Sequence, residues 1–481
     1  MTKKEMPKQK TSELDTTTSR LMEVNPNDYE AKLTAHASAE KVIILALIDS
    51  SFLDMTLNFY ETSIERHGIT NYLFLASDHR ACETLLDKNI SCYVYMTDCN
   101  ANEATVYGSA AFKQKMNIRT FLILDALKMG FTVLHTDVDI VFLGNPLPDL
   151  RSFARRDLAC LSDTGVCNAG FIYIRPSEFT IDVYGKMKRM ALETKLDDQR
   201  ALSLALSSAK GANKKSINQA QLLDPNKYQC GFNYFESGQR YFADSATCPQ
   251  CIVVHNNWIV SKEAKRYRFR EVLLWSYDEN GYYSDETRKY LMYSNAPHNG
   301  ANDTNSSNVE LDALKMALFI GHVLNRVVIL PRFHLAGNKR AERPLNNWIK
   351  ISCFDGQFYG EYRENAFLRH PKVPEKTKRD ISSPFWIKTD RSVAVLGYHP
   401  PGVTVLTQSG GTKTITEEIY RWFRNETSTV LNFHSIYGLF DREYQPSIAR
   451  QRAFVGKLQA AFRPTDYRQL IDSTKPCRVS S

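Results

Sequence analysis

The segment Phe131-Thr-Val-Leu-His-Thr-Asp-Val-Asp-Ile-Val-Phe-Leu143 decides the fold. Its first four residues are apolar or β-branched, as a buried strand requires, and they deliver the chain to two aspartates, Asp137 and Asp139. A second apolar run, Ile140 to Leu143, follows, and Gly144-Asn-Pro-Leu147 closes the unit. In an open α/β sheet, ligands bind beyond the carboxyl ends of the strands, so acids at this position sit at a ligand site.

Upstream, the chain alternates between strand and helix patterns. Lys41-Val-Ile-Ile-Leu-Ala-Leu-Ile48 is a continuous apolar run, suited to a strand buried on both faces of a parallel sheet. A helical stretch near 52–66, the strand Asn71-Tyr-Leu-Phe-Leu-Ala76, a helix over about 79–88 and the strand Ser91-Cys-Tyr-Val-Tyr95 follow. Ala110 to Met129 carries apolar residues at helical spacing and stops at Gly130. The pattern predicts an α/β mixed sheet of Rossmann type with helices on both sides.

Residues 1–38 are polar, lack apolar periodicity and read as a flexible lead-in. A first domain is expected over 39–287. The polar stretch Asn295 to Asn308 suggests a linker or long loop, and a second α/β domain is expected over 288–481, with a helix at 309–323 and strands at 326–330, 393–396 and 403–406. Two domains suit the 481 residues, of which 43% are hydrophobic and 24% charged.

A net charge of +8 without a basic, aromatic-interleaved stretch implies no nucleic-acid partner. Val42 to Ile48, the longest aliphatic run, is far below the roughly 20 residues that span a bilayer. No secretory signal is legible at the N-terminus, so the cytoplasm stays open as a compartment. The ten cysteines suit disulfides in an oxidising lumen or buried thiols in the cytosol, and a zinc site would draw on Cys248, Cys251, Cys230 and His255.

Two carboxylates one residue apart at a strand end offer hard oxygen ligands to Mn2+ or Mg2+, leaving other positions for water and diphosphate oxygens. Lys115 and Arg119 lie one turn apart on the preceding helix, where either reaches a phosphate or is merely solvated. Asn168, Ala169 and Gly170 precede the apolar run Phe171 to Ile174, where they bind sugar hydroxyls or form a tight turn. Asp198 and Gln199 are either functional or the cap of a helix from Gln199 to Leu206.

Four blocks, in order, resemble the nucleotide-diphospho-sugar transferases that include plant arabinosyl- and xylosyltransferases. Leu124 to Pro146 is similar to that family's central block, and Cys167-Asn-Ala-Gly-Phe-Ile-Tyr-Ile-Arg175 to its Asn-x-Gly strand. Asp197-Asp-Gln199 resembles its Asp-Gln element, and Val254-His-Asn-Asn-Trp-Ile-Val-Ser-Lys-Glu-Ala-Lys265 its closing His-Asn block. The resemblance covers about residues 40–275. It implies a GT-A-like domain in which Asp137, Asp139 and His255 hold the metal, Asp198 and Gln199 face the reacting sugar and acceptor, and Asn257 joins the substrate contacts. It further implies a retaining transfer of a sugar, such as a pentose or galactose, from a nucleotide-sugar donor, a UDP-sugar foremost, to a glycan or glycoprotein acceptor in the Golgi or secretory lumen. Leu311 to Pro331 is similar to a helix-then-strand element of fucosyltransferase-like folds, in which Arg326 is a phosphate ligand or the start of a core strand, and the second domain reads as accessory.

Two other readings remain open. Asp137-Val-Asp139-Ile-Val141 also fits a haloacid-dehalogenase-like phosphatase, with Asp137 as covalent nucleophile, although that motif normally follows the first core strand. A glycan-binding protein that has lost turnover would keep the same fold.

Overall fold

The computed structural model describes residues 26–95, 110–153, 156–194, 196–212, 219–294, 306–335, 338–388, 401–407 and 415–436, with a few positions between 454 and 461. The chain forms two compact units, residues 1–229 with 251–253 and residues 230–250 with 254–481. The expected strand at 393–396 lies outside the described residues.

The first unit is built on β1 (Val42–Ile48), β2 (Tyr72–Ala76), β3 (Cys92–Val94), β4 (Thr132–Thr136), β6 (Leu158–Asp163), β7 (Val166–Ile174) and β8 (Ala220–Leu222), in the order β3-β2-β1-β4-β7-β6-β8. β5 (Ile140–Phe142) belongs to a smaller sheet with β9 (Tyr228–Gln229) and β10 (Val253–His255). β1 runs parallel to β2 and β4, and β2 to β3, while β7 is antiparallel to both β4 and β6. The sheet is mixed, as expected. The apolar run of β1 is buried along almost its whole length, because the crossover helices of a parallel sheet cover both faces.

Ile43, Leu45, Val133, Ile172 and Ile174 share one core with Leu122 and Leu127 of the helix Ala110–Lys128, with Val183 and Met187 of the helix Glu178–Thr194, and with Leu202 and Leu206 of the helix Asp198–Ala212. Tyr29 and Leu33 join it from the helix Pro26–His36, which lies inside the segment expected to be a flexible lead-in. Disulfides tie Cys82 to Cys92 and Cys160 to Cys167, the latter across the β6–β7 hairpin.

The second unit holds β11 (Tyr290–Tyr293), β12 (Val327–Ile329), the hairpin β13 (Phe333–Leu335) and β14 (Asn338–Arg343), β15 (Tyr362–Arg363), β16 (Phe385–Lys388), β17 (Thr404–Thr407) and β18 (Val430–Ser435). Six of these make an all-parallel sheet, β15-β12-β11-β18-β16-β17. The helix Ser306–Leu324 packs on it through Leu314, Ala317 and Leu318. The helix Lys262–Glu271, which the sequence division places in the first domain, contributes Ala264 and Tyr267 to this second core. Arg326 Nη1 donates to the carbonyls of Tyr290, Ser428 and Thr429 at 2.9–3.1 Å, an arrangement that knits β-strand ends together. No helix among the described residues is long and apolar enough to cross a membrane.

The second unit also holds a buried polar cluster. Arg266 pairs with Asp355 at 2.7 Å, Tyr282 Oη donates to Glu364 at 2.6 Å, and Tyr267 Oη donates to Glu271 at 2.6 Å. The Arg270 guanidinium stacks 3.6 Å from the Tyr282 ring centroid. Burial, reinforced by Glu364, pushes the Glu271 carboxyl up to about 8 despite the Tyr267 bond. A carboxyl with a raised folded-state pKa binds its proton more tightly in the native chain, so its contribution to stability is full below the ordinary value and is lost as pH rises toward 8. Glu271→Gln is therefore expected to match the parent's Tm near pH 5 and exceed it at pH 8, flattening the decline by up to about 1.4 kcal/mol per pH unit. Scanning calorimetry across that range checks it; equal slopes would exclude Glu271 as the titrating group.

Candidate metal centre and donor site

β4 ends at Thr136, which lies opposite Phe171 of antiparallel β7. The ladder then continues one step, with the Asp137 amide donating to the Gly170 carbonyl at 2.7 Å. Asp137 is thereby fixed at the carboxyl end of a central strand, its side chain one third exposed. Two residues on, Asp139 is 5% exposed, between β4 and β5. β5 is held in turn by side chains: the Phe142 amide donates to Ser63 Oγ, and its carbonyl lies 2.9 Å from His67 Nε2.

The segment 251–253 is bonded on both sides. Its Ile252 carbonyl accepts from the Leu143 amide at 2.8 Å, and the Ile252 amide donates to the Lys227 carbonyl at 2.7 Å. His255, 3% exposed, comes at the end of the strand that this segment starts. Asp137, Asp139 and His255 form a group whose ligand atoms all lie within 4.8 Å of one another. Two carboxylates and an imidazole, two of the three buried and the third open to solvent, form a donor set that can hold a divalent cation and leave one side for exchangeable ligands.

Arg119 organises the rest. It is 6% exposed on the helix Ala110–Lys128, with Nη1 at 2.6 Å from Asp137 Oδ1 and 3.2 Å from His135 Nε2, while Nε and Nη2 both reach Asp198 Oδ2. Burial alone would lower its pKa, but Asp198 and then Asp137 outweigh that and keep the guanidinium charged. His135 is 1% exposed, and burial lowers its pKa, so the imidazole is neutral and accepts from Arg119 through Nε2. The structure thus turns Arg119 inward, as the link between two acids. The Lys115 side chain lies outside the described residues.

Asp198 and Gln199 begin the helix Asp198–Ala212, but the cap is Asp197, whose Oδ1 accepts from the Arg200 amide at 2.8 Å. This leaves Asp198, 5% exposed, to face Arg119. Gln199 clamps β7: its Nε2 donates to the Cys167 carbonyl at 2.7 Å and its Oε1 accepts from the Ala169 amide at 2.8 Å. Asn168 Oδ1 accepts from the Gly170 amide at 2.8 Å, and its Nδ2 donates to Asp163 at 3.3 Å. Gln199 and Asn168 therefore set the backbone whose Gly170 carbonyl carries Asp137. In the second unit, Asn257 Oδ1 accepts from the Gly231 amide at 2.6 Å.

Sequence reasoning passed over His135, Asp163 and the acids at the ends of the neighbouring parallel strands. Asp78 follows β2; it accepts from the Ser50 amide beyond β1 at 2.8 Å and caps the helix His79–Leu86 through the Ala81 amide. Asp78 just ahead of a helix pattern was the available signal for that cap. The pairing of Arg119 with acids distant in the chain had none.

The sheet and its strand-end acids define an α/β domain that can bind a metal-chelating, anionic ligand beyond β4. Residues 67–269 match the family model described as nucleotide-diphospho-sugar transferase. The β-arabinofuranosyltransferase RAY1 of Arabidopsis thaliana is 25% identical over 284 residues, 53% of this chain and 51% of that protein. The UDP-galactose:fucoside alpha-3-galactosyltransferase of Dictyostelium discoideum is 27% identical, over 51% of this chain and 44% of its own. The UDP-D-xylose:L-fucose alpha-1,3-D-xylosyltransferase of Arabidopsis thaliana is 23% identical, over 53% and 80%. The chain thus spans about half the length of the first two.

Removing Arg119 leaves Asp198 buried beside a second acid. Arg119→Met is expected to lose about 3 kcal/mol or more, as when one partner of a buried pair is deleted. Arg119→Lys recovers only part of this, because one ammonium cannot reproduce the fork between two carboxylates. Urea unfolding of the two variants measures both; a Met variant as stable as the parent contradicts the assigned role.

Proposed function

We propose that this chain is a metal-dependent glycosyltransferase that moves a pentose or galactose from a nucleoside-diphosphate donor, a UDP-sugar foremost, to a hydroxyl of a glycan or glycoprotein, with retention at the anomeric carbon. The Asp137–Asp139–His255 group at the end of β4 carries this reading. A bound Mn2+, or Mg2+, would neutralise charge on the departing nucleoside diphosphate. Asp139 and His255 fix the buried side of the site, and Asp137 faces the solvent side from which a diphosphate enters.

Arg119, Asp198, Gln199 and Asn168 act on this site by position. Arg119 holds the Asp137 carboxylate against Asp198, and Gln199 and Asn168 hold the Gly170 carbonyl that fixes its backbone. Retention is supported by relatives named for α-linked products of UDP-galactose and UDP-xylose, donors whose sugar is itself α-linked. The acceptor oxygen then bonds the anomeric carbon on the face from which the diphosphate oxygen leaves, and its proton passes to that phosphate oxygen. No separate protein base is required.

The dehalogenase-like alternative fits poorly, because Asp137 follows the fourth strand of the chain and the family match covers it. Disulfides at Cys82–Cys92 and Cys160–Cys167 support an oxidising compartment, the Golgi or secretory lumen, over the cytoplasm. Cys248 and Cys251 are disulfide-bonded too, which removes them as thiolate ligands for zinc.

The test is turnover of UDP-galactose, UDP-xylose and UDP-arabinofuranose, with and without Mn2+. The expected result is Mn2+-dependent release of UDP that falls by about 100-fold or more in Asp139→Asn while Tm holds within a few degrees. Phosphate release from simple monophosphates without nucleotide-sugar turnover would sink the proposal, and binding of glycans without turnover would support the inactive alternative.

A further inference from the structure

Three residues past His255, the chain does something costly. Trp258 sits at φ +59°, a left-handed conformation that bulky residues rarely adopt, and is 46% exposed. Its ring lies against Phe232, 39% exposed, with centroids 5.4 Å apart. Two large, partly exposed aromatic side chains are thus held side by side at a strained backbone position.

The surrounding bonds enforce this presentation. Arg268, itself 2% exposed, donates to Asn256 Oδ1 at 2.7 Å and to the Asn257 carbonyl at 2.6 Å, locking the two residues before Trp258. The same guanidinium lies 4.1 Å from the Phe235 ring centroid, on the turn that begins with Phe232. Asn257 Oδ1 takes the amide of Gly231, the residue before Phe232, at 2.6 Å. A side chain at 231 would put its Cβ 2.0 Å from the Asn257 carbonyl oxygen, so glycine is required for the two segments to approach this closely. Just beyond, Ser261 at φ +76° caps the helix Lys262–Glu271 and ends the strained loop.

We infer that Trp258 and Phe232 form the platform on which the acceptor glycan's sugar ring stacks, its C–H face on the aromatic faces and its hydroxyls in water. This inference rests on the glycosyltransferase reading of the metal group. Three residues reach at most roughly 11 Å of chain, so the platform is tethered within about the reach of a donor sugar plus one acceptor ring from the His255 backbone. A flat, rigid aromatic pair that is part wet and part apolar suits a ligand that is amphipathic in the same way. A saccharide has that character.

The experiment compares the parent with Trp258→Ala, Phe232→Ala and Trp258→Phe, using methyl glycosides of fucose, galactose and arabinose as acceptor probes. Acceptor KM is expected to rise about tenfold or more in the two alanine variants, with donor KM within about twofold, and to return toward the parent value in Trp258→Phe. In a second arm without donor or metal, saturation-transfer NMR is expected to mark the ring C–H protons of a bound glycoside in the parent and lose that signal in Trp258→Ala. Unchanged acceptor KM in a folded alanine variant that still turns over overturns the inference, as does a rise confined to donor KM, which would mean base stacking instead. A parent without nucleotide-sugar turnover defeats the proposed function, and the NMR arm then decides the platform by itself: no saturation transfer in the parent overturns it.

Discussion

The first unit's site depends on one buried guanidinium. Arg119 joins Asp137, on the strand end, to Asp198, at the start of a helix 79 residues later in the chain. Asp198 is not comfortable alone where it stands, since burial raises its pKa against the pull of Arg119. The fork of Arg119 lets one cation satisfy both at once, with the neutral His135 beside it. The geometry of Asp137 is thereby set by the protein's own side chains.

A second layer of constraint is backbone register. The β4–β7 ladder places Asp137 opposite Gly170, and that ladder is held by Gln199, whose amide bonds β7 much as a neighbouring strand would. The Cys160–Cys167 disulfide ties β7 to its other neighbour, β6. Gln199 and Asn168, singled out by their motifs, thus bond the backbone that carries Asp137. Asp198 and Gln199 belong to one short turn, yet one faces Arg119 and the other faces β7, because Asp197 takes over the capping duty.

Much of this was legible in the sequence, and the physics says why. β1 and β4 announce themselves because a strand covered on both faces must be apolar at nearly every position. Asp137 and Asp139 stand out because two acids directly after such a strand have no role in its core. The helix Pro26–His36 was missed: its composition is polar, and Tyr29 and Leu33, one turn apart, are a thin stripe. Arg119 read as a phosphate ligand or a solvated base because a buried cation is intelligible only with its partners, which lie 18 and 79 residues away. The clamp made by Gln199 leaves no periodic trace for the same reason. The helix Lys262–Glu271 continues directly from the His255 block in sequence, while its Ala264 and Tyr267 pack in the second core, a choice made by tertiary packing alone.

The central claim is that Asp137, Asp139 and His255 together bind the cation that accompanies a nucleoside diphosphate. Anomalous diffraction at the manganese edge, from crystals of the protein grown with Mn2+ and UDP, tests it most directly. The account predicts a single strong anomalous peak bonded to these three side chains, with the diphosphate of UDP completing its coordination. UDP bound in the crystal with no anomalous peak at this group, or with manganese held by other residues, would contradict it.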